Sequence, residues 1–373
     1  MTKVSLAADV MQPIPRIGDG HAFLINWAGG LQSAEKDKDQ WHILPLQHGN
    51  KPHASGYYSK AAMQAFMTQR GVRFIAYQQI NWMKGEYTSH WAPLIPGENN
   101  FSESPANLWS HVAGNLSRAR AQPLIGTIEN PTIAQIEAIR DAHSEPERLA
   151  RSISLSLRNL DTSVAEIAAF YHDELTNFLA AGKVDGLRSS SMRDQTLYAL
   201  VHSFFLHLGG ARDYLAAFVA LKLGMDITKT DSMARLIEAL RGPDNSGSPI
   251  LQLLASKGYV RPKATPSTKW EAAGWLDEVT DLRNELTHRR TYGHTMAERM
   301  GHVCPIDADV GLYRYFRPIS WKTSDQDVFD VMIGHYERVN ELFFAAAKLS
   351  GHDISILQIT DKDVISLEMT TRK

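Results

Sequence analysis

The stretch QTLYALVHSFFLHLGGARDYLAAFVALKLG, residues 195–224, constrains the chain more than any other. A helix built from it is apolar around nearly its whole circumference, so other elements must enclose it. Gly209 and Gly210 at its middle predict a kink or a division into two helices. Amphipathic neighbours surround it in sequence. SEPERLARSISLSL opens on Ser144 with Glu147 three residues on, the spacing of a capping box. DTSVAEIAAFYHDELTNFLAAG predicts a long helix with capping candidates at 161–163, apolar positions at Val164, Ile167, Phe170 and Leu175, and Gly182 as its stop. DSMARLIEALRG and SPILQLLASKG predict short helices closed by Gly242 and Gly258, with Pro249 at a first helical position. STKWEAAGWLDEVTDLRNELTHRR and DQDVFDVMIGHYERVNELFFAAAKLSG predict two more, with a loop from 293 to about 320 between them.

The chain changes character near residue 130. Trp27, Trp41, Trp82, Trp91 and Trp109 all precede that point, among strand-like runs such as WHILPL and VRFIAYQQI. The expected fold is therefore mainly α: an N-terminal module, mixed α/β or irregular, over 1–130; a helical connecting region over 131–190; a helical bundle over 191–350; and a small β-hairpin, DISILQITDKDVISLEM, over 351–373. There is no internal repeat and no low-complexity tract.

With 43% hydrophobic and 21% charged residues, the composition is that of a soluble globular protein, and a net charge of -2 offers a polyanion no global attraction. Any nucleic-acid contact must come from a local cluster. One cysteine, Cys304, excludes an intrachain disulfide and fits a reducing compartment. Asp9, Pro13 and Pro15 interrupt the N-terminal stretch where a signal peptide would be apolar, and no run approaches a membrane span. The expectation is a cytoplasmic protein with no membrane partner.

One such cluster is LRNELTHRRTYGH, residues 282–294. Trp275, Val279, Leu282 and Leu286 fall on one helical stripe that should face the core. Asn284 and His288, four apart, share a face pointing away from it. Arg283 and His288, five apart, would stand roughly 140° apart on a regular helix. They can meet on one phosphate if the helix ends or bends near Thr287, if the Arg side chain wraps round, or if a second subunit contributes. The same Arg-to-His spacing recurs at Arg16–His21, in a Gly-rich loop, and at Arg289–His294, where the helix should already fray. Arg and His are also favoured at a helix C-terminus by the macrodipole alone, so a plain helix end is the competing reading.

RNELTH resembles the signature of the HEPN superfamily of all-helical domains: an Arg, usually then a polar residue, with four to six residues before a His. The helix order over roughly 190–350 is similar to that bundle too. Many members are metal-independent endoribonucleases, often toxins or antiviral effectors, that act as dimers with their motifs facing. The resemblance makes Arg283 the phosphate-binding cation, Asn284 its polar partner and His288 the acid/base. It implies RNA as substrate, a homodimer through the bundle, and a possible antitoxin or regulatory protein as partner. Some subfamilies carry a Tyr two residues after the His; here that position is Arg290.

The chemistry suits those residue types. RNA brings its own nucleophile, the 2′-OH, so cleavage needs proton transfer, which His supplies near neutrality, and a cation that forks onto phosphate oxygens, which Arg supplies. No metal or cofactor is required. Arg289 and Arg290 add charge that can hold flanking phosphates as substrate-binding residues. The alternative is a HEPN-like module that binds RNA, a nucleotide or a partner protein without cutting.

Other candidates read more simply. His294, His302 and Cys304 match no zinc spacing and suit a solvated loop; His202 and His207 suit core or interface positions; Arg158-Asn159 suits a helix end; Asp325, Asp327, Glu337 and Glu341 suit capping or solvated sites. Walker, GxSxG, HExxH and Rossmann patterns are not found.

Overall fold

The structure, a computed structural model, describes residues 20–45, 57–83, 86–98, 103–241, 247–265, 269–321 and 324–357. The elements in chain order are β1 (Gly20–Trp27), β2 (Leu31–Asp37), β3 (Gln40–Leu44), α1 (Lys60–Gln69), β4 (Phe74–Met83), β5 (Glu86–Pro93), α2 (Pro105–Gly126), α3 (Ile133–Asp141), α4 (Glu145–Ala180) and α5 (Asp194–Lys222). There follow α6 (Met233–Ala239), α7 (Pro249–Ser256), β6 (Val260–Pro262), β7 (Trp270–Ala272), α8 (Gly274–Asn284), β8 (His302–Asp307), β9 (Leu312–Phe316), β10 (Pro318–Trp321), β11 (Ser324–Asp327) and α9 (Val328–Lys348). The protein is mainly α-helical.

The chain divides into two compact units, interleaved along the sequence. The first comprises Met1–Ser102, Asn159–Leu208 and Val279–Glu341; the second comprises Glu103–Arg158, Gly209–Glu278 and Leu342–Lys373. Helices α4, α5, α8 and α9 give residues to both. The segment read as a helical connecting region, 131–190, forms α3 and α4, and α4 buries Leu149, Ile153, Leu157, Leu160, Val164 and Ile167 along one stripe.

In the first unit an antiparallel sheet, ordered β3-β2-β1-β4-β5, realises the mixed α/β character of the N-terminal module. Its inner half is buried on both faces, which is why Leu24, Ile25, Asn26 and Trp27 are all covered in succession instead of alternating. Helix α1 covers one face, where the Trp27 indole donates to Ser33 Oγ at 2.9 Å and Ser33 Oγ meets Met63 Sδ at 3.1 Å. Against the other, the Trp91 indole donates to the Tyr336 hydroxyl of α9 at 3.1 Å, and Arg73 pairs with Glu337 at 2.6 Å. The β1–β2 turn runs through Gly29 and Gly30, both at positive φ. A Cβ on Gly30 would sit 2.4 Å from the Tyr171 carbonyl oxygen of α4, and one on Gly29 would sit 2.5 Å from Arg314 Cβ. Only glycine lets this turn lie on its neighbours.

The second unit packs α2, α3, α6, α7 and parts of the long helices. Trp109 is its anchor: fully buried, edge-on to Phe218 at 5.2 Å, with its indole donating to the Phe343 carbonyl at 3.0 Å. Glu147, which has no exposed surface, is bonded by Arg120, His143 and Arg151 at 3.2, 2.8 and 3.3 Å. Ser248 caps α7 with Pro249 in its first turn, and Gly258 follows at φ 69°, as the sequence predicts.

Several expectations are overturned. The two helices expected on either side of 161 are one continuous helix, α4. Inside it, Ser163 Oγ donates to the Asn159 carbonyl four residues back, at 2.9 Å, instead of capping a new helix. Arg158-Asn159 therefore lies inside a helix and not at its end. Helix α5 is not divided at Gly209–Gly210. It is long and apolar enough to cross a membrane by length and composition, yet 67% of its most apolar window is buried inside the protein, the behaviour of a core helix. His202 is exposed and His207 half-buried, so of the core or interface positions expected for them the core is excluded. Trp270–Ala272 is a strand paired with β6, not the start of a helix. The loop expected from 293 holds two hairpins, β8–β9 and β10–β11, because HVCPID and LYRYF each pair in extended form around Gly311 at φ 72°. Of the C-terminal hairpin, 358–373 lie outside the described residues, and 351–357 contain no strand.

Gly30→Ala should lower the unfolding free energy by at least about 2 kcal/mol, from backbone strain together with the clash. Urea denaturation of the variant beside the wild type checks this; a change within about 0.5 kcal/mol would mean the turn does not rest on α4 as described.

Candidate functional site

The stripe expected to face the core does so: Trp275, Val279, Leu282 and Leu286 are buried. The motif follows it out of the helix. After Asn284 the regular α-helix gives way over Glu285–Arg289 to a wide turn, and Arg290 leaves it in extended conformation. Three bonds set that turn. The Thr287 hydroxyl takes the Arg283 carbonyl at 2.7 Å, and such a bond competes with the helix's own. The Arg290 amide reaches five residues back to the Glu285 carbonyl at 2.9 Å. Its Nε donates to the carboxylate of the same Glu285 at 3.1 Å. Backbone and side chain thus close one loop twice.

The wide turn falls where the motif needs the helix to end or bend. A turn closed by an i→i+5 bond advances less per residue than the roughly 100° of an α-helix, so the angular offset of Arg283 and His288 is smaller than the roughly 140° of a regular helix. Asn284 and His288 stay on one face. Wide turns of this kind occur mostly as single turns within helices, frequently at functional sites.

The five residues singled out have different surroundings. Arg283 is half-buried; its Nε is buried with no hydrogen-bond partner, and among the described residues no ion pair reaches its guanidinium. Arg314 and Arg317 also have a buried, unbonded Nε, but their other nitrogens pair with Asp330 and Asp194. Asn284 is half-buried and makes no cap with its side chain, while His288 is exposed. Arg289 is exposed and touches Glu285 at 3.3 Å. Arg290 is engaged at all three nitrogens: Nε on Glu285, Nη1 on Glu298 at 2.9 Å, and Nη2 on the Ser320 carbonyl. The structure thus places Arg283 and Asn284 at the end of α8 and His288 in the wide turn that follows, and it directs Arg290 into the protein.

Glu298 is the residue that sequence reasoning missed. It has no exposed surface. One carboxylate oxygen accepts from Arg290 and from the Ser320 amide at 3.2 Å; the other accepts from the Gly293 and Thr295 amides at 3.1 and 3.4 Å. The Glu298 amide in turn donates to Thr295 Oγ at 3.3 Å. This is a capping box, and its Thr-x-x-Glu spacing in TMAE was the available signal. Gly293 is packed closely as well, since a Cβ there would lie 2.8 Å from the Tyr198 ring.

Tyr292 is buried and donates to the Pro318 carbonyl at 3.1 Å. Burial pushes its phenol well above the ordinary value, so it stays neutral and structural. Burial, then Arg188, pushes His302 below the usual histidine range, and its Nδ1 is buried without a partner. His294 is exposed, whereas His302 and Cys304 lie on β8. Among the described residues no group of three or more His, Cys, Asp or Glu is arranged to hold a metal ion. Asp327 acts as a cap: its carboxylate accepts from the Phe329 and Asp330 amides at 2.8 and 3.1 Å.

Comparison with protein-family models, curated proteins and solved structures finds no match to this chain.

The two adjacent arginines should therefore behave differently. Arg290→Ala leaves the buried Glu298 without its cation and should cost about 3 kcal/mol of stability. Arg289→Ala, at an exposed pair, should cost no more than about 0.5 kcal/mol. Urea denaturation of both variants checks the contrast, and equal effects would contradict the arrangement.

Proposed function

We propose that this protein is a metal-independent endoribonuclease of HEPN-like type, working in the cytoplasm as a toxin or antiviral defence effector. One observation carries the reading: Arg283, half-buried near the end of α8 with an unfilled Nε donor, stands five residues before an exposed histidine, His288, in the wide turn that follows. A buried donor left unbonded costs about 1–3 kcal/mol, and a phosphate oxygen is a partner that recovers it.

In this reading Arg283 forks onto the scissile phosphate and Asn284 orients it. His288 takes the 2′-OH proton as that oxygen attacks phosphorus. The bond from phosphorus to the 5′-oxygen breaks, and that oxygen takes a proton from an acid, the role open to His288 of a second copy in a homodimer. The products are a 2′,3′-cyclic phosphate and a 5′-OH. Arg289, exposed beside the turn, holds a flanking phosphate. Regulation by an antitoxin or another protein belongs to the same proposal.

The second reading is an RNA-, nucleotide- or protein-binding module without chemistry. It draws on the same unfilled donor of Arg283, which a bound phosphate satisfies whether or not it is cut.

Incubating labelled total RNA in excess EDTA with wild type and His288→Ala separates them. Nuclease chemistry expects cyclic-phosphate ends from wild type and ~100-fold or more slower cutting by the variant. RNA binding retained by both, with cutting by neither, would favour the binding module.

A further inference from the structure

We infer that Glu285, Arg290 and Glu298 form a clamp whose task is to hold the Arg283–His288 turn in its wide form, making all three positioning residues for the motif. The inference rests on the nuclease reading for its catalytic consequence, though not for its geometry. It also moves Arg290 from phosphate contact, the role its sequence position suggested, to support of the site.

The argument starts from the helix. A helix that reaches Asn284 in regular form would continue with four-residue bonds unless something makes a five-residue bond better. Arg290 supplies that something, because its amide and its Nε both close on Glu285, at 2.9 and 3.1 Å. An Arg can hold this pose only if its remaining nitrogens are also satisfied. Nη1 meets Glu298 and Nη2 meets the Ser320 carbonyl, on strand β10. Glu298 in turn fixes the chain just beyond the motif, through the Gly293 and Thr295 amides. The turn is thereby fastened at its start through Glu285, at its end through Arg290, and to β10 behind it. None of these bonds touches Arg283 or His288 side chains; their effect is on where those side chains stand. A misplacement of about 1 Å in a catalytic pair can cost ~100-fold in rate, so such a clamp has kinetic weight.

Two roles for Arg290 make opposite predictions about Glu285. If Arg290 gripped substrate phosphate, the Glu285 carboxylate would compete with RNA, and removing its charge would tighten binding. If Arg290 is part of a clamp, removing that charge loosens the turn.

The test uses the full chain, with Glu285→Gln and Arg290→Lys, a single-stranded RNA oligonucleotide and excess EDTA. Lysine keeps the charge but cannot reach three acceptors in a plane. Steady-state kcat and KM are read beside amide hydrogen exchange of the segment 285–292, with thermal unfolding to confirm that each variant is folded. The clamp expects kcat to fall ~30-fold or more in both variants with KM within about threefold of wild type, and exchange in the segment to rise about tenfold or more. A lower KM with unchanged kcat in Glu285→Gln, or full activity in Arg290→Lys, would overturn it. If wild type cuts no RNA, the nuclease reading fails by itself; the clamp is then decided by exchange alone, which supports it when faster in both variants and sinks it when unchanged.

Discussion

Arg317 carries its charge where water does not reach, and the carboxylate of Asp194 makes that tolerable. The arginine has no exposed surface, and its two terminal nitrogens both turn to Asp194 at the start of α5. The same guanidinium donates to the Glu298 carbonyl at 3.3 Å, and the Arg317 amide donates to Asp327 at 3.1 Å. Asp327 caps α9 and takes the Tyr171 hydroxyl of α4 at 3.2 Å. Burial and the neighbouring Asp330 push its carboxyl up, while Arg314 and the bonded amides pull it back. One residue between β9 and β10 thus fixes the start of α5, the start of α9 and the loop behind the motif. Such a pair contributes little net stability against an apolar substitute, but removing one member strands a buried charge at about 3–5 kcal/mol. Its effect is to make these elements stand in one arrangement.

This dependence explains which parts of the fold were legible in the sequence. Local signals were read well: Ser248-Pro249 at the start of α7, Gly182 after α4, and the apolar stripe through Val279 and Leu282 all act within a few residues. Signals that needed a distant partner were not. Nothing local says that Gly209 and Gly210 will stay helical inside α5. HVCPID and LYRYF sit in a stretch rich in charge and turn residues, and the buried faces of Val303 and Tyr315 emerge only once α4 supplies Phe170 and Tyr171 for Tyr315 to pack on, at 6.2 and 5.0 Å.

The candidate site was legible in its residues and not in its geometry. Arg283, Asn284 and His288 were visible as a pattern, and the problem of their angular separation was visible with them. Its solution depends on Glu285, a residue that a motif scan passes over because it looks like the surface partner of an i,i+4 pair. It does pair with Arg289 in that way, at 3.3 Å, but its other oxygen goes to Arg290. A carboxylate one turn from a phosphate site is at first sight a repulsive choice. Here it is neutralised by two arginines, so its field at Arg283 is weakened while its geometric effect on the turn remains.

Among the described residues, the arginines around the motif differ in what takes their charge. Glu285 accounts for Arg289 and, with Glu298, for Arg290; Arg314 and Arg317 have Asp330 and Asp194; Arg73 has Glu337. Arg283, near the end of α8, has a buried Nε with no acceptor, as Arg314 and Arg317 do, but among the described residues no ion pair reaches its guanidinium either. A chain that leaves such a donor open bears a cost of about 1–3 kcal/mol in the free state. A helix cap would not require it, because the macrodipole is served equally well by an arginine whose nitrogens all face water. In the function proposed above, the guanidinium meets an acceptor that arrives from outside. An anion bound between Arg283 and His288 fits both the half-burial of the one and the exposure of the other.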